Sequence, residues 1–200
     1  LALRGWNPVD EKPYSDSALW LVFTLASYLK ETGDMQLLKE TVPFYDGGNA
    51  SVLQHIDRAL DFLEANKGSH GLILIKFGDW NDSLTGVGKE GRGESVWLSL
   101  AYAEAMLEMA SLAEYLQQEE QSRQYLLRRK SIVEAINTHA WDGGWYTRCF
   151  DDSGRPIGSK SNEFAKMFME PQAWALISGA ADNERAGTLL KSCDEVLGTP

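Results

Sequence analysis

The sequence predicts an all-α fold of paired helices laid out as a toroid. Apolar residues recur at helical spacing over most of the chain. The helices are separated by three long polar segments, residues 1–14, 67–93 and 142–162. Each of these precedes a helix of the same sense, so the three gather at one end of a rigid scaffold, where functional residues are commonly carried. A four-helix bundle needs short connections, and no repeat of roughly 34 residues marks a tetratricopeptide array.

The elements follow in order. Ser15 or Asp16 is placed to cap a helix that turns Leu19, Trp20, Phe23, Leu25, Ala26 and Leu29 inward and stops near Thr32-Gly33-Asp34. A shorter helix from about Met35 to Val42 ends before Pro43. Ser51 caps the run Val52 to Ala65, with Leu53, Ile56, Ala59, Leu60 and Leu63 on one face. Beyond the glycine-rich interruption, a long helix runs from about Glu94 to Leu116. The short link Gln117-Gln118 sets its partner, about Glu119 to His139, antiparallel. A short β-hairpin or strand pair is expected near residues 141–150, and a turn at Asp152-Ser-Gly-Arg-Pro156. Pro171 to Ala180 and Asn183 to Leu197 form the last helical pair.

Composition excludes several classes. Of the 200 residues 44% are hydrophobic and seven are tryptophan, enough to bury a core, so disorder is not expected. A formal charge of -10 argues against nucleic acid or an anionic membrane as partner. No apolar run approaches the length of a membrane span. Cys149 and Cys193 stand alone, without a CxxC pair, and His55, His70 and His139 show no ligand spacing, so no metal site is expected. A reducing cytosol is the simpler setting for two such cysteines. The chain starts without Met and reads as part of a longer polypeptide.

Chemistry concentrates between Phe77 and Trp97. Asp79-Trp80-Asn81-Asp82 packs two carboxylates, an indole and a carboxamide into four residues, and Glu94 follows a glycine-rich stretch. Acids hold sugar hydroxyls and an indole covers a pyranose face. A carboxyl partly desolvated against an indole also keeps its proton nearer neutral pH and serves as a general acid. The competing reading is a capped turn rich in Asp, Asn and Gly. Gly86-Val-Gly-Lys-Glu-Gly-Arg-Gly93 lacks the spacing of a nucleotide-binding P-loop.

Seven motifs in order carry a resemblance: Arg4-Gly5; Tyr14-Ser15-Asp16 leading into Leu19-Trp20-Leu21; Tyr28-Leu-Lys-Glu-Thr-Gly-Asp34; Gly78-Asp-Trp-Asn-Asp82; Gly91-Arg-Gly-Glu-Ser-Val-Trp97; Trp141-Asp-Gly-Gly-Trp-Tyr146; and Pro171-Gln-Ala-Trp-Ala-Leu-Ile-Ser-Gly-Ala180. The chain resembles the catalytic domain of glycoside hydrolase family 94, inverting phosphorylases of cellobiose, chitobiose and related β-glucosides, a domain type also found in cyclic β-1,2-glucan synthases. The resemblance implies an (α/α)₆ barrel, of which residues 1–200 supply roughly the central half. The rest of the barrel and an N-terminal β-sandwich lie outside the chain, so this piece alone is expected to be poorly active.

The resemblance also implies roles. Asp82 corresponds to the general acid. Trp80 and Asn81 shape the donor subsite, and Asp79 either binds a sugar hydroxyl or braces the loop. Arg4 and Asp16 match donor-sugar ligands, and Asp16 also suits a helix N-cap; Ser17 stands where many members carry a second Asp. Glu163 matches an acceptor-side carboxylate. Glu94 is expected to cap and brace the helix beginning at Ser95, while Trp97, Trp174, Trp141 and Trp145 are expected in the core. The partners implied are a disaccharide or oligosaccharide and inorganic phosphate, as co-substrate rather than cofactor, with a homodimer one assembly open to the full-length protein. The location implied is cytoplasmic. Two alternatives stay in view: an (α/α)₆ hydrolase or glucan-synthase module, and a non-catalytic carbohydrate-binding helical module.

Overall fold

The computed structural model describes residue 12 and residues 14–198. Among them the chain is mostly helical, with α1 Ser17–Thr32, α2 Val52–Ala65, α3 Val96–Tyr115, α4 Glu119–Ala135, α5 Met169–Ile177 and α6 Asn183–Leu197. Two small antiparallel sheets accompany the helices. One pairs β1 (Thr41–Pro43) with β2 (Asn49–Ser51); the other is ordered β3 (Glu94–Ser95), β4 (Cys149–Phe150), β5 (Pro156–Ile157).

Burial separates the helices into two rows. In α3, 13 of 20 residues are buried, including Val96, Leu98, Leu100, Ala103 and Met106, so apolar side chains are covered on every side. A helix of that kind is central. It packs against α1 on one side and α5 on the other. The partners α2, α4 and α6 pack against α1, α3 and α5 in turn. They are more polar: α4 buries only Tyr125 and Ile132, and α6 only Leu189. The result is an inner row α1–α3–α5 backed by an outer row.

Local chemistry explains the helix ends. Gly33 takes a left-handed φ of +69° and its N–H closes α1 on the Leu29 carbonyl at 2.9 Å. Ser51 caps α2 with a full capping box: its Oγ accepts from the Gln54 N–H at 3.2 Å, and Gln54 Oε1 accepts from the Ser51 N–H at 2.9 Å.

Three expectations need correction. The helix expected from Met35 to Val42 is a 3-10 turn of Met35–Lys39, because Val42 pairs with Ala50 across the β1–β2 hairpin. The helix expected to begin at Glu94 begins at Val96, because Glu94 and Ser95 are drawn into a ladder with Phe150 and Cys149. Near residues 141–150 a tight turn does close, with a bridge between Trp141 and Tyr146 and the Asp142 N–H on the Trp145 carbonyl at 2.8 Å. The regular hairpin lies further on, β4 with β5.

Candidate active site

The loops that precede the inner helices interlock. The Ser15 Oγ donates to the Leu74 carbonyl at 3.0 Å, and Tyr14 bridges to Lys76 and Gly78. The Ile75 N–H donates to the Gly93 carbonyl, and the Ser95 N–H to the Ile73 carbonyl, both at 2.9 Å. β3 then pairs with β4. The Asp152 carboxylate adds a clamp, accepting from the N–H groups of Glu90, Arg92 and Gly93 at 2.9, 2.8 and 3.0 Å. A narrow, sheet-like platform therefore crosses the N-terminal ends of α1 and α3.

Asp79 is the buried keystone of this platform. Its side chain and that of Arg148 are both fully buried, with Arg148 Nη2 on Asp79 Oδ1 at 2.7 Å. The Ser95 Oγ donates to Asp79 Oδ2 at 2.7 Å. The Asn81 N–H donates to Asp79 Oδ1 at 3.1 Å. Both carboxylate oxygens are thus engaged within the protein, which is the geometry of a loop brace. Of the two roles open for this residue, the brace is the one these contacts describe.

The next residues turn outward. Trp80 is 44% exposed, and its ring meets that of Trp97 edge-on at 6.2 Å. Asn81 caps a 3-10 turn, Asp82–Leu84, by accepting from the Ser83 N–H at 3.1 Å. Asp82 is the first residue of that turn. Trp97 is buried, as expected, and touches Trp174 and Trp20 as well, at 5.8 and 6.2 Å. Each inner helix contributes one of these indoles near its first turns.

Asp16 sits at the N-cap position of α1, but its side chain makes no capping bond. Its Oδ2 accepts instead from the indole N–H of Trp20 at 2.8 Å. Burial raises its pKa above the ordinary carboxylate value; the Trp20 hydrogen bond works against this, and the negative charge of Asp79 adds to it. Trp20, expected in the core, is 41% exposed. An oriented carboxylate next to an exposed indole suits the recognition of a hydroxylated ring.

Glu94 does not cap α3. Ser95 does, its Oγ accepting from the Leu98 N–H at 3.1 Å. The buried Glu94 carboxylate turns the other way, accepting from the His70 and Leu72 N–H groups at 3.1 and 3.2 Å and meeting His70 Nδ1 at 2.5 Å. A side chain on Gly68 would fall 2.5 Å from the Glu94 carboxyl carbon, so the glycine makes this approach possible. Glu94 braces the loop rather than the helix.

Glu163 stands exposed on the loop after β5, and among the described residues it makes no hydrogen bond or ion pair to the Asp16–Asp79 cluster. The indole N–H of Trp145 pins that loop at the carbonyls of Gly158 and Lys166, each at 2.9 Å. Arg4 lies outside the described residues. No group of three His, Cys, Asp or Glu side chains among the described residues is placed to hold a metal ion. No helix there is long and apolar enough to cross a membrane. Arg148 escaped the sequence reading. Its one local signal is a charged residue inside the run Tyr146-Thr147-Arg148-Cys149-Phe150, which alternation alone does not distinguish from an exposed position.

Comparison with known proteins places this arrangement. The family model described as glycosyl hydrolase 94 superfamily, catalytic domain, matches residues 8–200. The chain is similar to a solabiose phosphorylase of Paenibacillus borealis, 42% identical over 199 residues, covering 99% of this chain and 26% of that protein. It is 37% identical over 207 residues to a 3-O-beta-D-glucopyranosyl-beta-D-glucuronide phosphorylase of the same organism, covering 99% of this chain and 27% of the relative. The chain thus spans about a quarter of the length of these relatives. Among solved structures, a GH78 family rhamnosidase of Bacillus sp. GL1 matches in fold, with a TM-score of 0.67 and 17% identity, over 89% of this chain and 17% of that one.

Proposed function

The chain belongs to the glycosyl hydrolase 94 superfamily, and on that premise we propose that it is the acid-bearing part of an inverting glycoside phosphorylase. The observation that carries the reading is the loop 79–82: a buried brace at Asp79, an exposed indole at Trp80, and a capped turn that begins at Asp82. Asp82 gives its proton to the glycosidic oxygen as the bond to the anomeric carbon breaks. Phosphate forms the new bond from the opposite face, and an α-sugar 1-phosphate leaves with the shortened acceptor. An inverting hydrolase needs a second carboxylate to activate water. Phosphate is already an anion, so a single acid suffices.

Asp16, oriented by Trp20, and Arg4 are assigned to donor-sugar hydroxyls, Trp80 and Asn81 to the donor pocket, and Glu163 to the acceptor side. Asp79 is assigned to the loop. The three helix pairs correspond to half of an (α/α)₆ barrel. The donor is a β-linked glucoside, a reading supported by the β-glucosyl linkage in the name of one relative. No cofactor is required beyond phosphate as co-substrate, and the two free cysteines fit a cytoplasmic setting.

The test is phosphate dependence. Complete protein incubated with β-linked glucosyl disaccharides is expected to release α-sugar 1-phosphate, read by phosphorus NMR, only when phosphate is supplied. Equal sugar release without phosphate would replace this reading with a hydrolase.

A further inference from the structure

We infer that Arg148 is a positioning residue for the acid: through Asp79 its guanidinium holds the turn on which Asp82 is carried. This rests on Asp82 being the acid, and it adds a residue 66 positions away in sequence (148 − 82) that no motif points to.

The connection runs atom by atom. Arg148 Nη2 donates to Asp79 Oδ1 at 2.7 Å, and that same oxygen accepts the Asn81 N–H at 3.1 Å. Asn81 in turn caps the turn Asp82–Leu84. Arg148 Nη1 donates to the Ser95 Oγ at 3.2 Å. That hydroxyl also accepts the Leu98 N–H at 3.1 Å and donates to Asp79 Oδ2 at 2.7 Å. A serine hydroxyl offers one donor and two acceptor sites, so Ser95 is fully committed. The guanidinium fork therefore ties the acid loop to the N-terminus of α3.

The root of the arm is equally fixed. The Arg148 N–H donates to the Ile157 carbonyl at 2.7 Å, and its own carbonyl accepts from the Val96 N–H at 3.2 Å. Gly158, at φ +82°, lies so close that a side chain there would meet the Arg148 nitrogen at 2.8 Å and its Cβ at 3.1 Å. Burial has a cost, since among the described residues the buried Arg148 Nε has no hydrogen-bond partner. A buried ion pair adds little net stability over apolar side chains of equal volume. What two fixed, forked donors add is direction, because guanidinium geometry specifies where the carboxylate must lie. Catalytic groups held about an ångström out of place lose on the order of 100-fold in rate.

The experiment compares two substrates in the complete protein. A β-linked disaccharide needs a proton on its leaving oxygen, whereas the matching β-glycosyl fluoride departs as fluoride with little need of one. Arg148→Met is expected to lower kcat on the disaccharide by about 100-fold or more, with the fluoride rate reduced far less, the signature Asp82→Asn also gives. Arg148→Lys keeps the charge but not the fork and is expected to stay impaired in the same selective way. If Arg148→Met does not fold, as judged by its melting curve, Arg148→Lys and Ser95→Ala supply the same ratio. Equal losses on both substrates, or no loss on the disaccharide, overturn the role. Wild-type turnover independent of phosphate sinks the phosphorylase reading alone; the disaccharide-to-fluoride ratio, then read with water as acceptor, still decides for or against Arg148.

Discussion

Asp79 and Trp80 are consecutive residues with opposite surroundings. Asp79 is 1% exposed and locked among Arg148, Ser95 and the Asn81 N–H, whereas Trp80 is 44% exposed on the rim. One loop is thus divided into a buried floor and a presented edge within a single peptide unit. The floor uses charge to hold backbone; the edge leaves the Trp80 indole exposed. The contrast teaches that residues adjacent in sequence need not share an environment. Asp79 and Asp82 lie three residues apart, and the Asp79 side chain is tied into the scaffold by these contacts.

The largest expected effect breaks the edge and spares the floor. Asp82→Asn is expected to lower kcat for disaccharide phosphorolysis by roughly 10²–10⁴-fold while the melting temperature stays at the wild-type value. A matching fall in melting temperature would show that edge and floor are one unit. Next comes the floor itself. Asp79→Ala strands a buried guanidinium, and denaturant titration is expected to show a loss of about 3–5 kcal/mol in unfolding free energy. A loss well below 1 kcal/mol would mean that water already reaches the pair.

The smallest effect lies where floor and edge meet, at Asp16. Burial raises its folded pKa above its unfolded value, so the folded state binds more protons in that window. The wild type therefore loses stability as pH rises from the ordinary aspartate value through the folded pKa. Asp16→Asn removes that loss, so melting curves are expected to show a gain at neutral pH that fades as pH falls toward 3.8. The same variant is expected to raise the KM for the sugar. A stability gain at acid pH, or an unchanged KM, would separate Asp16 from the donor site.

How much was legible in the sequence depended on distance along the chain. The Ser51 cap and the Gly33 stop were readable, since each acts within four residues of itself. The α2 face Ile56, Leu60, Leu63 followed from helical spacing alone. Val42 was misplaced because its partner Ala50 is reached only once the hairpin closes. Glu94 was misplaced for a similar reason. Its position before a helix suggested a cap, while its carboxylate in fact answers His70 and Leu72, more than twenty residues upstream.

The candidate site divides along the same line. By itself the sequence determined the helical scaffold, the family-bearing motifs and the loop that carries Asp82, all of which reside in short-range spacing. Tertiary structure alone decided which carboxylate is sealed and which indoles stand open. It paired Asp79 with Arg148 across 69 positions and left Trp20 41% exposed rather than in the core. The physical reason is that burial belongs to the assembled fold: the cost of removing a charge from water, and the partner that offsets it, exist only when distant segments meet.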